Sequence, residues 1–431
     1  MRRRFHLLLF CVALSAFRAT AASASLLAII HVTIVDLRSG LARPEMTVLI
    51  EGDRITAVRP TKPKDSLEGG GILVVDGNGA FLIPGLWDMH VHTDGADRIL
   101  HLLLANGITG ARDMAGNAAK LADAKRRERE GELTGPRLVF AGPMLEGPPS
   151  HEDEDTWIIH SPDEARDAVQ RLADLHVDFI KVHDGLSRDA FLAIAAACKR
   201  KGLSFAGHVP ASVTPAEASD LGEKSMEHFE FVPKPCLVLF EPKTGATARQ
   251  PPPGCDQPSL DALFHRFAAN GTWLDPTIQS FRYFAPKQWP AILAEFDELV
   301  PWIRRNHVSI LAGTDSSSFL EEQGDPPGAA LHDELALLVD SGFTPLEALR
   351  AATLNPAAFL GLSDSLGTIE PGKTANLVLL ANNPLEDIRN TKRILAVIAS
   401  GRYLDRNTLD TMLRTDCRSC TENRVHGLPY D

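Results

Sequence analysis

No glycine-rich phosphate-binding turn follows the first long apolar strand of this 431-residue chain, and no basic stripe interleaved with aromatic residues runs along it. The first absence counts against a doubly wound dinucleotide-binding sheet. The second, with a formal net charge of −12 and 6% aromatic residues, counts against a nucleic-acid binder. Beyond the first residues, no apolar run is long enough to cross a membrane. Cysteine is scarce, at 6 residues. Cys417 and Cys420 form one Cys-x-x-Cys with no second pair, so a local disulfide is expected there rather than zinc. Cys236 and Cys255 flank a Pro-rich stretch and are expected to close a loop in an oxidising compartment. Cys198, within "FLAIAAACKRKG", is expected in a buried helix.

Apolar content of 44% and charged content of 23% are globular values. The start, "MRRRFHLLLFCVALSAFRATAASAS", runs from arginines through a short apolar stretch to Ala22-Ser23-Ala24, the layout of a secretory signal peptide over residues 1–24. Its removal loses Arg2, Arg3, Arg4 and Arg18 and no acid. The expectation is an exported, soluble, periplasmic protein without a stable membrane span, with an uncleaved anchor as the alternative.

Short strands with turns occupy 25–82, and a second β segment occupies 366–404. A small β-sandwich domain built from both chain ends accounts for both. A tail follows over 405–431. Between them, residues 83–365 alternate apolar strands with helical stretches, the signal of βα units. Eight candidate strands can be read: "LIPGLWDMHVH", "GITGARDM", "PRLVFAGPML", "VDFIKVHDG", "LSFAGHV", "SMEHFEF", "TWLDPTI" and "SILAGTDS". The predicted fold class is α/β, a (β/α)8 TIM barrel, which takes about 250 residues.

Such barrels carry their active sites at the C-terminal strand ends. His90 and His92, at i and i+2 on a strand, share a face. Lys181 ends the fourth strand, His208 the fifth, His228 the sixth and Asp315 the eighth. Each has a plain structural reading alone, but six coincidences of position do not. A lysine among metal ligands is explicable when neighbouring cations favour its neutral amine, which can take up carbon dioxide as a carbamate. His183 shares the face of Lys181 and is a candidate substrate contact, as is His151 in the acidic loop "LEGPPSHEDEDTWIIH". His332 and Glu334 are expected to serve a helix N-terminus, and His307 to lie on the surface.

The His-x-His after "IPGLWDM", the lysine, "GHVP", "EHFE" and "AGTD" together resemble the metal-dependent amidohydrolase superfamily, in its imidazolonepropionase-like and prolidase-like branch. "TVLIEGDRITAV" and "GTIEPGKTANLVLL" agree with the likeness. Asn376 stands where the family phrase usually carries Asp, and His183 where an aromatic residue is usual. The resemblance implies that His90, His92 and Asp315 hold one metal and His208 and His228 a second, with carboxylated Lys181 bridging. Zn2+ suits these ligands. A hydroxide shared by two metals would attack the scissile carbonyl, and Asp315 would move the proton. The implied activity is hydrolysis of a small-molecule amide, a dipeptide (Xaa-Pro or other) or an N-acyl amino acid. A lactonase, a cyclic amidine deaminase and a non-catalytic binding protein are the alternatives. A homo-oligomer is compatible with the residues, which do not indicate one.

Overall fold

The computed structural model describes residues 26–62, 71–229, 231–232 and 255–416. The leader, Cys236 and the Cys417/Cys420 pair lie outside these residues. The chain opens with β1 (Leu26–Asp36), β2 (Leu41–Glu51), β3 (Arg54–Pro60), β4 (Ile72–Asp76) and β5 (Phe81–Pro84). β1 pairs antiparallel with β2 along one edge. On its other edge it pairs parallel with β4 and then β5. Enclosed on both edges, "LLAIIHVTIVD" reads as a nearly unbroken apolar run and is buried through most of its length.

Nine short strands follow: β6 (Leu86–Val91), β7 (Ile108–Asp113), β8 (Arg137–Phe140), β9 (Met144–Glu146), β10 (Thr156–Ile158), β11 (Phe179–Val182), β12 (Ser204–Gly207), β13 (Glu223–Glu227) and β14 (Trp273–Asp275). They pair in parallel, in the orders β6-β7-β8 and β10-β9-β11-β12-β13-β14. The chain then returns to the first sheet as β15 (Leu377–Leu380), β16 (Ile394–Ala399) and β17 (Arg402–Asp405). That sheet has the order β17-β16-β15-β5-β1-β2-β3, with β4 on β1, so both chain ends build it. The whole is a TIM-barrel-like α/β fold carrying a terminal sheet.

Three of the expected strands differ in detail. The first divides at Gly85, with β5 going to the terminal sheet and β6 to the parallel one. A Cβ on Gly85 would lie 2.1 Å from Thr109 Oγ1, so only glycine lets the chain pass. The third divides at Gly142, whose φ of 71° turns β8 into β9. The eighth, "SILAGTDS", is not a regular strand. It forms parallel bridges at Leu274↔Ile310 and Val91↔Ser316. Leu311 N–H donates to Leu274 O (2.8 Å), and Thr314 and Asp315 N–H both donate to His90 O (3.2 and 2.7 Å). This stretch therefore fastens β14 to β6 without the ladder of a full strand.

Local chemistry sets the helix ends. Ser187 caps Arg188–Lys201, accepting from Ala190 N–H, and Gly202 closes it in the left-handed conformation at φ 68°. Thr344 and Glu347 form a capping box on Pro345–Ala351. Cys198 is buried and free on its helix, as expected. Cys255 is buried and disulfide-bonded. Among the described residues, no helix is long and apolar enough to cross a membrane.

Candidate metal centre

The ends of β6, β12 and β13 and the stretch after Ile310 bring the expected ligands together. His90 is the fifth residue of β6, 1% exposed. The His90 and His92 rings lie 5.4 Å apart, and His228, directly after β13, has its ring 4.9 Å from His90 and 4.8 Å from His208. Asp315 Oδ1 lies 3.4 Å from His90 Nε2 and 3.1 Å from His92 Nε2. Ligand atoms of His90, His228 and Asp315 lie within 4.8 Å of one another. Two of these residues sit at backbone positions that L-residues seldom adopt, with φ of 54° at His228 and 58° at Asp315. Strain of this kind persists where the surrounding structure enforces it, commonly at functional sites.

The second nitrogen of each imidazole is tied off. His90 Nδ1 meets Glu227 Oε2 at 3.1 Å, His92 Nδ1 meets Ala115 O at 3.3 Å, His208 Nδ1 meets Asp184 Oδ1 at 3.3 Å and His228 Nδ1 meets Thr277 Oγ1 at 2.6 Å. With a proton on Nδ1, each ring keeps a lone pair on Nε2, as metal-ligating histidines do. Metal–ligand bonds of about 2.0–2.2 Å put neighbouring ligand atoms roughly 3.3 Å apart in a tetrahedral arrangement. The His–Asp separations match that spacing, so the donor set fits a divalent ion.

Electrostatics agree. Burial, with Lys181 and the other imidazoles adding repulsion, pushes His90 and His208 well below the usual histidine range. Burial also takes His228 down to about 4. Neutral imidazoles are what a metal needs. Burial opposes charge on His92 as well, but Asp315 overrides it and raises the ring. Burial would lift Asp315, and the hydrogen bond to His92 with the nearby cations holds it low instead. Lys181 lies in the middle of β11, 1% exposed, and forms no ion pair among the described residues. Burial lowers its ammonium, against the pull of Glu227 and Asp315.

Beneath the ligands lies a layer the sequence reading missed. Arg112 donates to Met89 O, Ser225 Oγ, Glu227 Oε2 (2.9 Å) and Asp275 Oδ2 (3.2 Å), with both carboxylates fully buried. His90, Glu227 and Asp275 also have metal-ligand spacing. The Arg112 guanidinium already supplies their positive charge, so this group orients His90 rather than holding an ion. The adjacency of Glu227 to His228 in "MEHFE" was the only local signal.

His183 stacks on His208, ring centroids 4.0 Å apart. His151 does not join the cluster; it stands exposed on the loop between β9 and β10, and among the described residues no hydrogen bond or ring contact ties it to the ligands. Glu334 accepts from the N–H groups of Ile278 (3.1 Å) and Gln279 (2.7 Å), the plain capping role expected of it. His332 instead bonds Thr391 Oγ1 and Asn106 O, both at 3.0 Å, and His307 is exposed.

Comparison with known proteins agrees with this geometry. Over 375 residues the chain is 25% identical to the ochratoxinase of Aspergillus niger, the match covering 72% of each protein. A solved Xaa-Pro dipeptidase with methionine in its active site superposes with a TM-score of 0.71 at 21% identity, over 88% of this chain and 100% of that one. Molinate hydrolase superposes with a TM-score of 0.70 at 20% identity, over 90% and 96%. At such identities the two structures speak for the fold. The model of the amidohydrolase family matches residues 81–404. The chain therefore belongs to the amidohydrolase family, metal-dependent hydrolases that act on carbon–nitrogen bonds.

Proposed function

We propose that the protein is an exported, periplasmic hydrolase of the amide bond in a dipeptide or an N-acyl amino acid. The observation that carries this reading is the set of four imidazoles whose Nδ1 atoms are all engaged, with the Nε2 atoms of His90 and His92 turned to Asp315 Oδ1 at ligand spacing. His90, His92 and Asp315 would hold one divalent ion, His208 and His228 another, Zn2+ being the best match to imidazole and carboxylate donors. Ions there supply Lewis acidity toward the substrate carbonyl and lower the pKa of water.

The chain's own residues do the rest. Lys181 is buried and forms no ion pair among the described residues, and burial lowers its ammonium; as a neutral amine its nitrogen could add to the carbon of CO2 and release one proton, giving a carbamate that would serve as an anionic ligand. Asp315 Oδ1 would take the proton from the attacking water and return it to the leaving amine, a role worth about 10²–10⁴-fold. The layer of Arg112 and Glu227 keeps His90 oriented throughout. At the level of architecture, the bridges through Ile310 and Ser316 support a closed eight-stranded barrel. The two-sided pairing of β1 supports a terminal sheet that folds into a sandwich.

Metal analysis of the purified protein beside Lys181→Ala, with a dipeptide and N-acyl amino acid panel, tests this reading. Two metals per chain in the wild type, falling together with amide cleavage in the variant, is the expected result. A variant that keeps both metals and full activity would overturn the bridging role of Lys181. Cleavage of lactones with no action on any amide would overturn the substrate class.

A further inference from the structure

Among the described phenylalanine, tyrosine and tryptophan residues, only Phe284 and Phe319 stand open to solvent, at 52% and 53% exposed. They also stack on each other, with ring centroids 5.7 Å apart and planes 10° from parallel. Phe284 ends the short helix Phe281–Phe284 after β14, and Phe319 lies on the helix Ser318–Glu322. Both helices start beside the metal centre. Phe281 precedes Phe284 by three residues, on the same side of the turn, and meets the His228 ring edge to face at 6.1 Å. Phe319 comes four residues after Asp315, a reach of at most about 14 Å. Each platform is anchored. Glu334 takes the N–H groups of Ile278 and Gln279 just before Phe281, and Arg282 lies over the Trp289 ring at 5.3 Å. On the other helix, Leu320 is fully buried and Glu321 takes a two-point ion pair from Arg98 at 2.6 and 2.5 Å. With those two side chains turned inward, Phe319 faces out.

The other exposed large apolar side chains are leucines: Leu26, Leu41, Leu73 and Leu395 on the terminal sheet and Leu175 at a helix end. Single leucines of that kind need no explanation, but a held pair of wet rings does. A phenylalanine presents about 150–250 Å², so two half-exposed rings leave about 200 Å² open. A stable protein interface takes about 800 Å² from each partner, which the pair falls far short of. The open area matches one further ring, which would gain both burial and the offset stacking that aromatic groups prefer. Its position, within a turn of the residue packed on His228, suits a group attached to a molecule held at the metal centre. We infer that the Phe284–Phe319 pair receives an aromatic group of the amide substrate, on its acyl or its amino acid part. The enzyme therefore favours aromatic substrates over those with a methyl group in that place. This rests on the amide-hydrolase reading above and names the substrate class within it.

N-acyl amino acids with a phenyl ring on the acyl or the amino acid part, each beside its methyl-bearing counterpart, test the inference in the metal-loaded enzyme. Binding of phosphonyl analogues of the same pairs, read by calorimetry, makes the test independent of turnover. The wild type is expected to favour the aromatic member of at least one pair by about 10–100-fold in kcat/KM and in binding. Phe284→Ala and Phe319→Ala should each lower that ratio, and the double variant should bring it toward one while the metal content holds. Phe319→Tyr, which keeps the ring, should preserve it. A wild-type ratio near one, or equal ratios in wild type and double variant, with amides still cleaved, would overturn the inference and leave the amide reading standing. A wild-type dimer that the double variant turns into a monomer, with the substrate ratio unmoved, would overturn it too and give the pair to a second copy of the chain. If no amide is cleaved and no phosphonyl analogue binds, the amide reading fails and takes this inference with it.

Discussion

The parallel strands and the terminal sheet bury very different things. Inside the terminal sheet, Leu27, Ile29, Val48, Ile50, Leu377 and Ile398 pack together, and the polar residues its strands bury are the threonines Thr33 and Thr47. Inside the parallel strands, Asp88, Arg112, Lys181, Glu227 and Asp275 are all nearly inaccessible. An isolated buried charge is costly, and even a paired one is seldom more stable than an apolar replacement. The terminal sheet is thus a means of holding two chain ends. The charged core is retained for what it positions, and Arg112 is the pivot because it meets Glu227 and Asp275 at once.

Arg112→Met is the sharpest way to break this contrast. It strands two buried carboxylates without a counter-ion, and the expected loss is about 3–5 kcal/mol of stability. Urea unfolding measures it, and metal content should fall alongside because Glu227 no longer fixes His90. Unfolding at the wild-type urea concentration would show that the network holds nothing together. In the terminal sheet, Ile29→Val removes one buried methylene group and should cost about 0.5–1.5 kcal/mol, with metal content unmoved. Metal loss in that variant would mean that the two cores are coupled.

The same contrast decides what the sequence could disclose. His90, His92, Lys181, His208, His228 and Asp315 were legible because each follows a short apolar run, and strand ends converge in a βα architecture. Asp315 was found even though its stretch is no regular strand, because "AGTD" ends an apolar run whatever its ladder. Their supports were not legible. Arg112 meets Glu227 across 115 residues, and Glu146 meets His183 across 37. Periodicity reports which face a residue takes, not which partner waits on another strand. The breaks at Gly85 and Gly142 were hidden for a related reason, since each depends on the close approach or turn of neighbouring backbone. His151 stands exposed on its loop, outside the imidazole cluster, a placement that an acidic loop sequence does not disclose.

A carboxyl with a buried oxygen left unbonded among the described residues offers the smallest and cleanest comparison with the Arg112 layer. Glu295 lies on the helix Trp289–Arg305, with Oε1 buried and unbonded among the described residues. Burial pushes it up to about 7 from an ordinary value of 4.5. Between those two values the folded protein keeps a proton that the unfolded chain has released. Stability from this residue is therefore complete below pH 4.5, declines as pH rises, and is lost once pH passes 7. Glu295→Gln cannot ionise and so lacks that decline. Urea midpoints at pH 5 and pH 8 should show the variant gaining on the wild type at the higher pH, with little difference at the lower. Parallel midpoints at both would mean that Glu295 is already ionised in the folded protein, held by solvent rather than by the apolar helix face.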